Sequence, residues 1–279
     1  MISGPLVTAA DAIRLLDRAV VLDARAGPNA RLDYAEGHVA GAQYVDLEAD
    51  LSQIGDPSEG GRHPLPALQT WAERVGRWGI GPSTPVLVYD ASHGGMAAAR
   101  AWWMLRAIGH QAVAVVDGGL GALQEAGAPM ESGASRAAST RMSYPMALSE
   151  WPTVDASFVD RVRSDAMWRL IDARAPARYA GNEEPIDPVG GHIPGATNLY
   201  WQTQVDDAGR LADAAELRKR YADLLGDVPP ERVVCYCGSG VTACHLLLAM
   251  EACGLPGARL YVGSWSEWCR ARGGAIATG

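Results

Sequence analysis

A cysteine stands where an apolar run meets a glycine-rich turn, in Val233-Val234-Cys235-Tyr236-Cys237-Gly238-Ser239-Gly240-Val241. The segment that follows, Thr242-Ala243-Cys244-His245-Leu246-Leu247-Leu248-Ala249-Met250, reads as a helix. Cys237 is therefore expected at the end of a strand, facing a loop of backbone N–H groups and the positive end of a helix. A thiol so placed loses its proton easily, and the same groups can hold a sulfur-borne anion, including a second sulfur bonded to the first as a persulfide. Gly238 and Gly240 are expected to take positive φ and let several N–H groups converge. Ser239 and Thr242 add hydroxyl donors. No Lys, Arg or His lies between Gly238 and Ala243, so the amides of this loop, Val241 included, are expected to supply the stabilisation. The competing reading is a buried structural cysteine before an ordinary turn.

The elements around that loop must come from a chain of 279 residues, long enough for two domains near 140 residues each. Hydrophobic residues make up 48% and charged residues 20%, so sizeable cores can be buried. A net charge of −8 argues against nucleic acid or an anionic membrane as partner. The N-terminus has no basic region followed by an apolar run, and no stretch approaches the roughly 18 apolar residues of a membrane span. The five cysteines all follow residue 234 and form no disulfide framework, which fits a reducing, cytoplasmic setting.

The chain also repeats itself. Val20-Val21-Leu22-Asp23-Ala24-Arg25 recurs as Leu170-Ile171-Asp172-Ala173-Arg174, and Gly37-His38-Val39-Ala40-Gly41-Ala42 as Gly191-His192-Ile193-Pro194-Gly195-Ala196. Pro85-Val86-Leu87-Val88-Tyr89-Asp90 aligns with Arg232-Val233-Val234-Cys235-Tyr236-Cys237, and Val115-Val116-Asp117-Gly118 with Leu260-Tyr261-Val262-Gly263. The spacings are 149 for Asp23 to Asp172, 154 for His38 to His192, 147 for Asp90 to Cys237 and 145 for Gly118 to Gly263. Four ordered matches at a nearly constant offset imply a duplication, giving two domains of one fold. Within each copy, short continuous apolar strands such as Val20–Leu22, Val86–Tyr89 and Val113–Val116 alternate with helical stretches, which predicts a parallel sheet buried on both faces. A helix is expected over 9–18 with Thr8 as N-cap and Asp11 completing an acidic capping box. Residues 125–152, rich in Ala, Ser, Gly and Pro, read as a connection between the copies. The boundaries drawn are 1–130, a linker at 131–152, and 153–279.

Duplication separates scaffold from chemistry. Asp23 and Asp172, Arg25 and Arg174, and His38 and His192 occur in both copies and are expected to serve the fold. Cys237 is matched in the first copy by Asp90, which cannot carry sulfur, so the first domain is expected to be catalytically silent.

Along essentially its whole length the sequence resembles the tandem-domain rhodanese-type sulfurtransferases. The resemblance rests on Asp172-Ala173-Arg174, Gly191-His192-Ile193-Pro194-Gly195-Ala196, Cys237-Gly238-Ser239-Gly240-Val241-Thr242-Ala243 and Gly263-Ser264-Trp265-Ser266-Glu267-Trp268. It implies two α/β rhodanese-like domains, each a five-stranded parallel sheet flanked by helices, with the site in the C-terminal domain facing the interdomain cleft. It implies no cofactor. The implied reaction is ping-pong: the cysteine takes a sulfur atom from a small-molecule donor, becomes a persulfide, and passes the outer sulfur to a thiol, cyanide or a thioredoxin-like protein.

The loop is similar to that of the 3-mercaptopyruvate sulfurtransferases, whereas thiosulfate-using relatives more often carry an arginine and a lysine beside the cysteine. Thiosulfate is a compact dianion that gains from a cation in the loop. Mercaptopyruvate carries one carboxylate and a carbonyl, which small hydroxyl-bearing residues can serve, and Ser239 is the candidate to relay a proton or hold that carbonyl. Arg178 matches a substrate-binding arginine of the family, able to grip a carboxylate through two parallel hydrogen bonds. A second arginine of the family has no counterpart in Gly181-Asn182-Glu183-Glu184-Pro185-Ile186-Asp187-Pro188. His63, in Arg62-His63-Pro64-Leu65-Pro66, matches a histidine of the family expected to join Ser239 in a proton relay. The relay's aspartate corresponds to Glu48, whose longer side chain leaves its part open. Site expectations are thus Cys237, Ser239 and His63 as catalytic groups and Arg178, Gly238, Gly240, Val241 and Thr242 as substrate-binding ones, with no metal.

Two rival classes use a similar loop or fold. A cysteine phosphatase or arsenate reductase needs an arginine six residues after its cysteine, and position 243 is alanine. A silent binding or regulatory module would be expected to lack the cysteine, as the first copy does. Trp102 and Trp103 read as core or interface anchors. Trp265 and Trp268 line the cleft or pack, and Cys244, Cys253 and Cys269 read as small buried apolar groups.

Overall fold

The apolar runs become strands with almost no exposed residue, and each is paired on one or both sides with a parallel neighbour. A computed structural model describes residue 2 and residues 4–134, 140–271 and 276–279. It divides into two compact units. In the first, five parallel strands lie in the order Leu6–Val7, Val113–Val116, Val86–Tyr89, Val20–Arg25 and Gln43–Asp46. In the second, read in the matching direction, the order is Thr153–Val154, Arg259–Tyr261, Val233–Tyr236, Arg169–Asp172 and Ala196–Asn198, again all parallel. The two orders correspond strand for strand. This is the α/β architecture of a duplicated domain, with helices such as Ala97–Ala107 and Ala243–Ala252 packed on each sheet.

The shared residues hold each sheet in the same way. Arg25 forks onto Asp23 at 2.8 Å through both Nε and Nη2, and Nη2 also donates to the Gly37 carbonyl at 2.8 Å. Arg174 repeats this on Asp172, with Nη2 at 2.6 Å, and on the Gly191 carbonyl at 2.6 Å. His38 stacks on Tyr34 with ring centroids 3.8 Å apart, and His192 on Tyr179 at 3.7 Å. Each histidine sets its Nδ1 against the carbonyl of the tyrosine it stacks on. Tyr89 and Tyr236 close the pattern by accepting from the N–H of Val39 and Ile193. Buried charges of this kind persist because each is paired and hydrogen-bonded.

Three details depart from the simplest sequence reading. The first helix is short: Ala9–Ile13 is α-helical, with Thr8 accepting from the Asp11 N–H, and Leu16–Arg18 is a separate 3₁₀ turn. Part of the connection is structured: Met130–Glu131 pairs antiparallel with His38–Val39, the Met142 N–H donates to the Gly76 carbonyl, and Trp151 stacks with Trp103. Residues 135–139 of that connection lie outside the described residues. The third departure is an exchange of segments: Ile54–Leu65 counts with the second unit, and Asp206–Leu211 with the first.

Candidate active site

Val233–Tyr236 is the middle strand of the second sheet, between Arg169–Asp172 and Arg259–Tyr261, and Cys237 follows at its C-terminal end. In open parallel sheets this end is where ligands are held. The helix Ala243–Ala252 leaves the loop at once, with Thr242 at its N-cap. Cys237 is 2% exposed. Its N–H donates to Ser264 Oγ at 3.2 Å, and its carbonyl accepts from the Trp265 N–H at 3.0 Å. The Gly238 carbonyl accepts from Ser266 at 2.9 Å, so the turn after the last strand clamps the cysteine loop by its backbone. That turn is tightly specified, with Ser264 at a positive φ of 54° and its hydroxyl donating to the Tyr261 carbonyl.

The two glycines have different reasons for being glycine. Gly240 has φ 74°, and a Cβ there would lie 2.6 Å from the Val262 carbonyl oxygen. Gly238 does not take a positive φ, contrary to the expectation from sequence. A Cβ at Gly238 would instead lie 2.9 Å from Arg62 Nη2 and 3.6 Å from both Nη1 and Nη2 of Arg178. The space over Gly238 therefore belongs to two guanidiniums, one from the loop before His63 and one from the short helix Pro176–Ala180. The loop's own sequence carries no cation, but two guanidiniums stand over Gly238 in space, the expected Arg178 and, unexpected from sequence, Arg62. Among the described residues, the N–H groups of Gly238, Ser239, Val241 and Thr242 donate to no protein acceptor.

Ser239 is 6% exposed, and its Oγ lies 2.7 Å from His63 Nδ1. His63 comes from the first half of the sequence, yet its loop packs with the second unit. Gly60 N–H donates to Glu267 Oε1 and Arg62 N–H to Ser266 Oγ, at 3.1 and 3.0 Å. At Gly61, with φ 82°, a Cβ would fall 2.3 Å from the Gly263 carbonyl oxygen, so the two backbones touch. The turn that clamps the cysteine loop thus also positions the histidine. Glu48, left open by sequence, counts with the other unit.

Arg178 is fixed by acids. Its Nε and Nη2 donate to Glu184 at 3.1 and 2.6 Å, and Nη2 lies 3.5 Å from Asp187. Burial works against an ionised Glu184, but the hydrogen bonds and charge of Arg178 hold its carboxyl below the ordinary range. Sequence reading missed Arg62, Glu184, Asp187, Ser264, Ser266 and Glu267 as parts of the site. The acids stand within a stretch read only for an arginine it lacks. The remaining cysteines behave as expected of small buried groups, and burial pushes the Cys235 thiol up. Trp265 and Trp268 are core residues, 0% and 1% exposed.

On the opposite unit the matching loop is closed. Asp90 is 2% exposed, and its carboxylate accepts four backbone N–H bonds, from Ser92 and Gly94 on Oδ1 at 2.8 and 2.7 Å and from Met96 and Ala98 on Oδ2 at 3.2 and 3.1 Å.

Comparison with known proteins agrees with this duplicated fold. A family model described as "Rhodanese-like domain" matches twice, over residues 8–126 and 156–271. The chain is 40% identical over 249 residues to "Probable 3-mercaptopyruvate sulfurtransferase" of Pseudomonas aeruginosa, covering 88% of this chain and 86% of that one. It is 35% identical over 243 residues to the thiosulfate sulfurtransferase of Cricetulus griseus, covering 86% and 80%. Among solved structures, the 3-mercaptopyruvate sulfurtransferase from Leishmania major superposes with a TM-score of 0.83 at 29% identity, over 95% of this chain and 74% of that one.

Proposed function

Since this chain belongs to the rhodanese family, as a sulfurtransferase with two rhodanese-like domains in tandem, we propose that Cys237 carries sulfur as a persulfide and that its donor is 3-mercaptopyruvate. In the first half-reaction the Cys237 thiolate attacks the donor's sulfur. The S–S bond forms, the carbon–sulfur bond breaks, and its electron pair leaves on carbon as the enolate of pyruvate. The donor thiol's proton is the one the carbanion needs, and Ser239 with His63 offers a route for it. In the second half-reaction a thiolate or cyanide attacks the outer sulfur, and Cys237 leaves as the thiolate again. Small thiols, cyanide and thioredoxin-like proteins are the acceptor classes. The N–H groups of Gly238, Ser239, Val241 and Thr242, with the curl permitted by Gly240, hold the anionic sulfur, and Arg178 takes the donor's carboxylate.

The observation that carries this reading is the 2.7 Å contact between His63 Nδ1 and Ser239 Oγ, two residues from Cys237. A hydroxyl and an imidazole so coupled serve proton movement, which desulfuration of a carbonyl-activated carbon requires and direct sulfur loss from thiosulfate does not. Thiosulfate as main donor is the second reading, since the two guanidiniums over Gly238 would attract any anionic donor. We place the protein in the cytoplasm, where its five cysteines, all free, would stay reduced.

Mass spectrometry of protein incubated with each donor tests the carrier: a gain of one sulfur, roughly 32 Da, is expected on Cys237 and on no other residue. Side-by-side kcat/KM values with one acceptor decide the donor. A tenfold preference corresponds to about 1.4 kcal/mol of differential transition-state binding. Arg178→Ala is expected to raise the donor KM about tenfold or more with kcat little changed, as loss of uniform binding does. A large fall in kcat at unchanged KM would remove that role.

A further inference from the structure

The acids and guanidiniums beside Gly238 form one ion-paired network. Asp187, whose side chain is 0% exposed, lies 3.2 Å from Arg62 Nε, 3.5 Å from Arg178 Nη2 and 2.8 Å from Arg270 Nη1. Glu184 takes Arg178 and, at 3.4 Å, Arg174, which is itself forked onto Asp172. Among the described residues the network joins four guanidiniums, Arg62, Arg174, Arg178 and Arg270, to three carboxylates, Asp172, Glu184 and Asp187. Within these ion pairs guanidiniums outnumber carboxylates by one; the exposed Asp56 reaches Arg270 only at longer range.

That excess is presented at a defined place. Arg174 is 1% exposed and its guanidinium lies over the Trp265 ring, 4.7 Å from the centroid, so its charge is spent inside the unit. Arg62, Arg178 and Arg270 are partly exposed, 23%, 17% and 25%, and it is the tips of the first two that border the space over Gly238. Asp187 holds both side chains in position before any anion arrives, which lowers the ordering cost of binding one. A glycine at 238 leaves room for both forks and for a ligand that reaches between them.

We infer that Arg62 is a second substrate-binding guanidinium, and that the single excess charge of the network makes this site select donors with one negative charge over donors with two. The inference rests on Cys237 as the sulfur carrier and extends that reading to the choice of donor. A monocarboxylate neutralises the excess, whereas a dianion such as thiosulfate leaves an uncompensated negative charge in a half-buried site, which is unfavourable. Selection therefore arises from the balance of acids against arginines and not from the number of arginines alone.

The test moves that balance in both directions and reads the ratio of kcat/KM for mercaptopyruvate to that for thiosulfate. Glu184→Gln keeps the side chain's shape and raises the excess by one charge, so the ratio is expected to move toward thiosulfate by about tenfold. Arg62→Ala removes the excess. The KM for both donors is expected to rise, more steeply for thiosulfate, so that the ratio moves toward mercaptopyruvate by about tenfold. Arg62→Lys keeps the charge and is expected to restore the ratio while leaving KM elevated, because the fork is lost. Ratios that stay put, or that move the same way in Glu184→Gln and Arg62→Ala, overturn the inference. Calorimetric binding of pyruvate and of sulfate to the Cys237→Ser chain separates this from the carrier reading, since no sulfur chemistry is possible there. Pyruvate binding that weakens in Arg62→Ala, with sulfate gaining relative to pyruvate in Glu184→Gln, supports the clamp even if Cys237 carries no sulfur. Pyruvate affinity unchanged by Arg62→Ala refutes it even if Cys237 does.

Discussion

Asp90 and Cys237 end matching strands and open matching loops, and the two loops differ in what they enclose. Around Asp90 the backbone folds onto its own carboxylate, which satisfies four N–H groups at once. Around Cys237 the side chain is a neutral, smaller group when protonated, several loop N–H groups have no protein acceptor among the described residues, and two guanidiniums reach over the glycine that follows. The same strand–loop–helix unit is thus completed internally in one place, while in the other its loop N–H groups find no protein acceptor among the described residues. The scaffold is common to both. The Asp–Arg forks, the stacked histidines and the strand order do not depend on which loop is open.

The sharpest break between the loops is chemical. Cys237→Ser is expected to lower turnover by about four orders of magnitude, roughly 5.5 kcal/mol, and to abolish persulfide formation by mass spectrometry. Asp90→Cys is expected to gain no persulfide, because among the described residues no guanidinium pair stands over its loop as one does over Gly238.

Next in size is the shared scaffold. Arg25→Met and Arg174→Met each leave a buried carboxylate without its fork and are expected to cost about 3–5 kcal/mol in denaturant unfolding. Similar losses in the two would support equal scaffold roles. Loss of turnover in a stably folded Arg174→Met protein, with none in Arg25→Met, would make Arg174 part of the chemistry.

Acid should separate the units. His245, on the helix after the cysteine loop, is buried and pushed down to about 4 by desolvation, while the matching residue in the first unit is Ala98. The folded state favours neutral imidazole, so this stability is complete above the unfolded value near 6.5 and is lost as pH falls from there toward 4. The loss is on the order of 3 kcal/mol at the lower end. His245→Leu is expected to flatten that part of the stability–pH curve, measured by denaturant unfolding at pH 7 and pH 4.

The smallest effect tests the closed loop itself. Asp90→Asn keeps the shape but removes acceptor capacity for the four N–H groups, and is expected to cost about 1–3 kcal/mol of stability with kcat unchanged in the folded protein.

The duplication, the parallel sheets and the exceptional cysteine were legible in the sequence because each is local or periodic: a two-residue Asp–Arg spacing, an apolar run, a Gly-x-Gly turn. The expectation that Asp, Arg and His shared by both copies serve the fold follows the same logic, and the forks and stacked rings agree with it. What was not legible is what meets across distance. Arg62 and Asp187 are 125 residues apart, and nothing in either neighbourhood marks the other. Reading Gly181–Pro188 for a missing arginine hid the acids whose role is to hold arginines from elsewhere. The Gly-x-Gly pattern predicts a conformational role for Gly238, but its reason is the space taken by side chains from two other segments, which no local pattern carries.

The exchange of Ile54–Leu65 for Asp206–Leu211 has a consequence for how the molecule is made. A ribosome that has finished residue 151 has produced most of one unit, yet the segment from 206 that belongs with it is still unsynthesised, and the histidine already made awaits a partner 176 residues further on. Neither half, cut out and expressed alone, would contain all of its own unit, and the later half would lack His63 altogether. The contact between His63 and Ser239 is therefore made only late in synthesis, after residue 239 has been added.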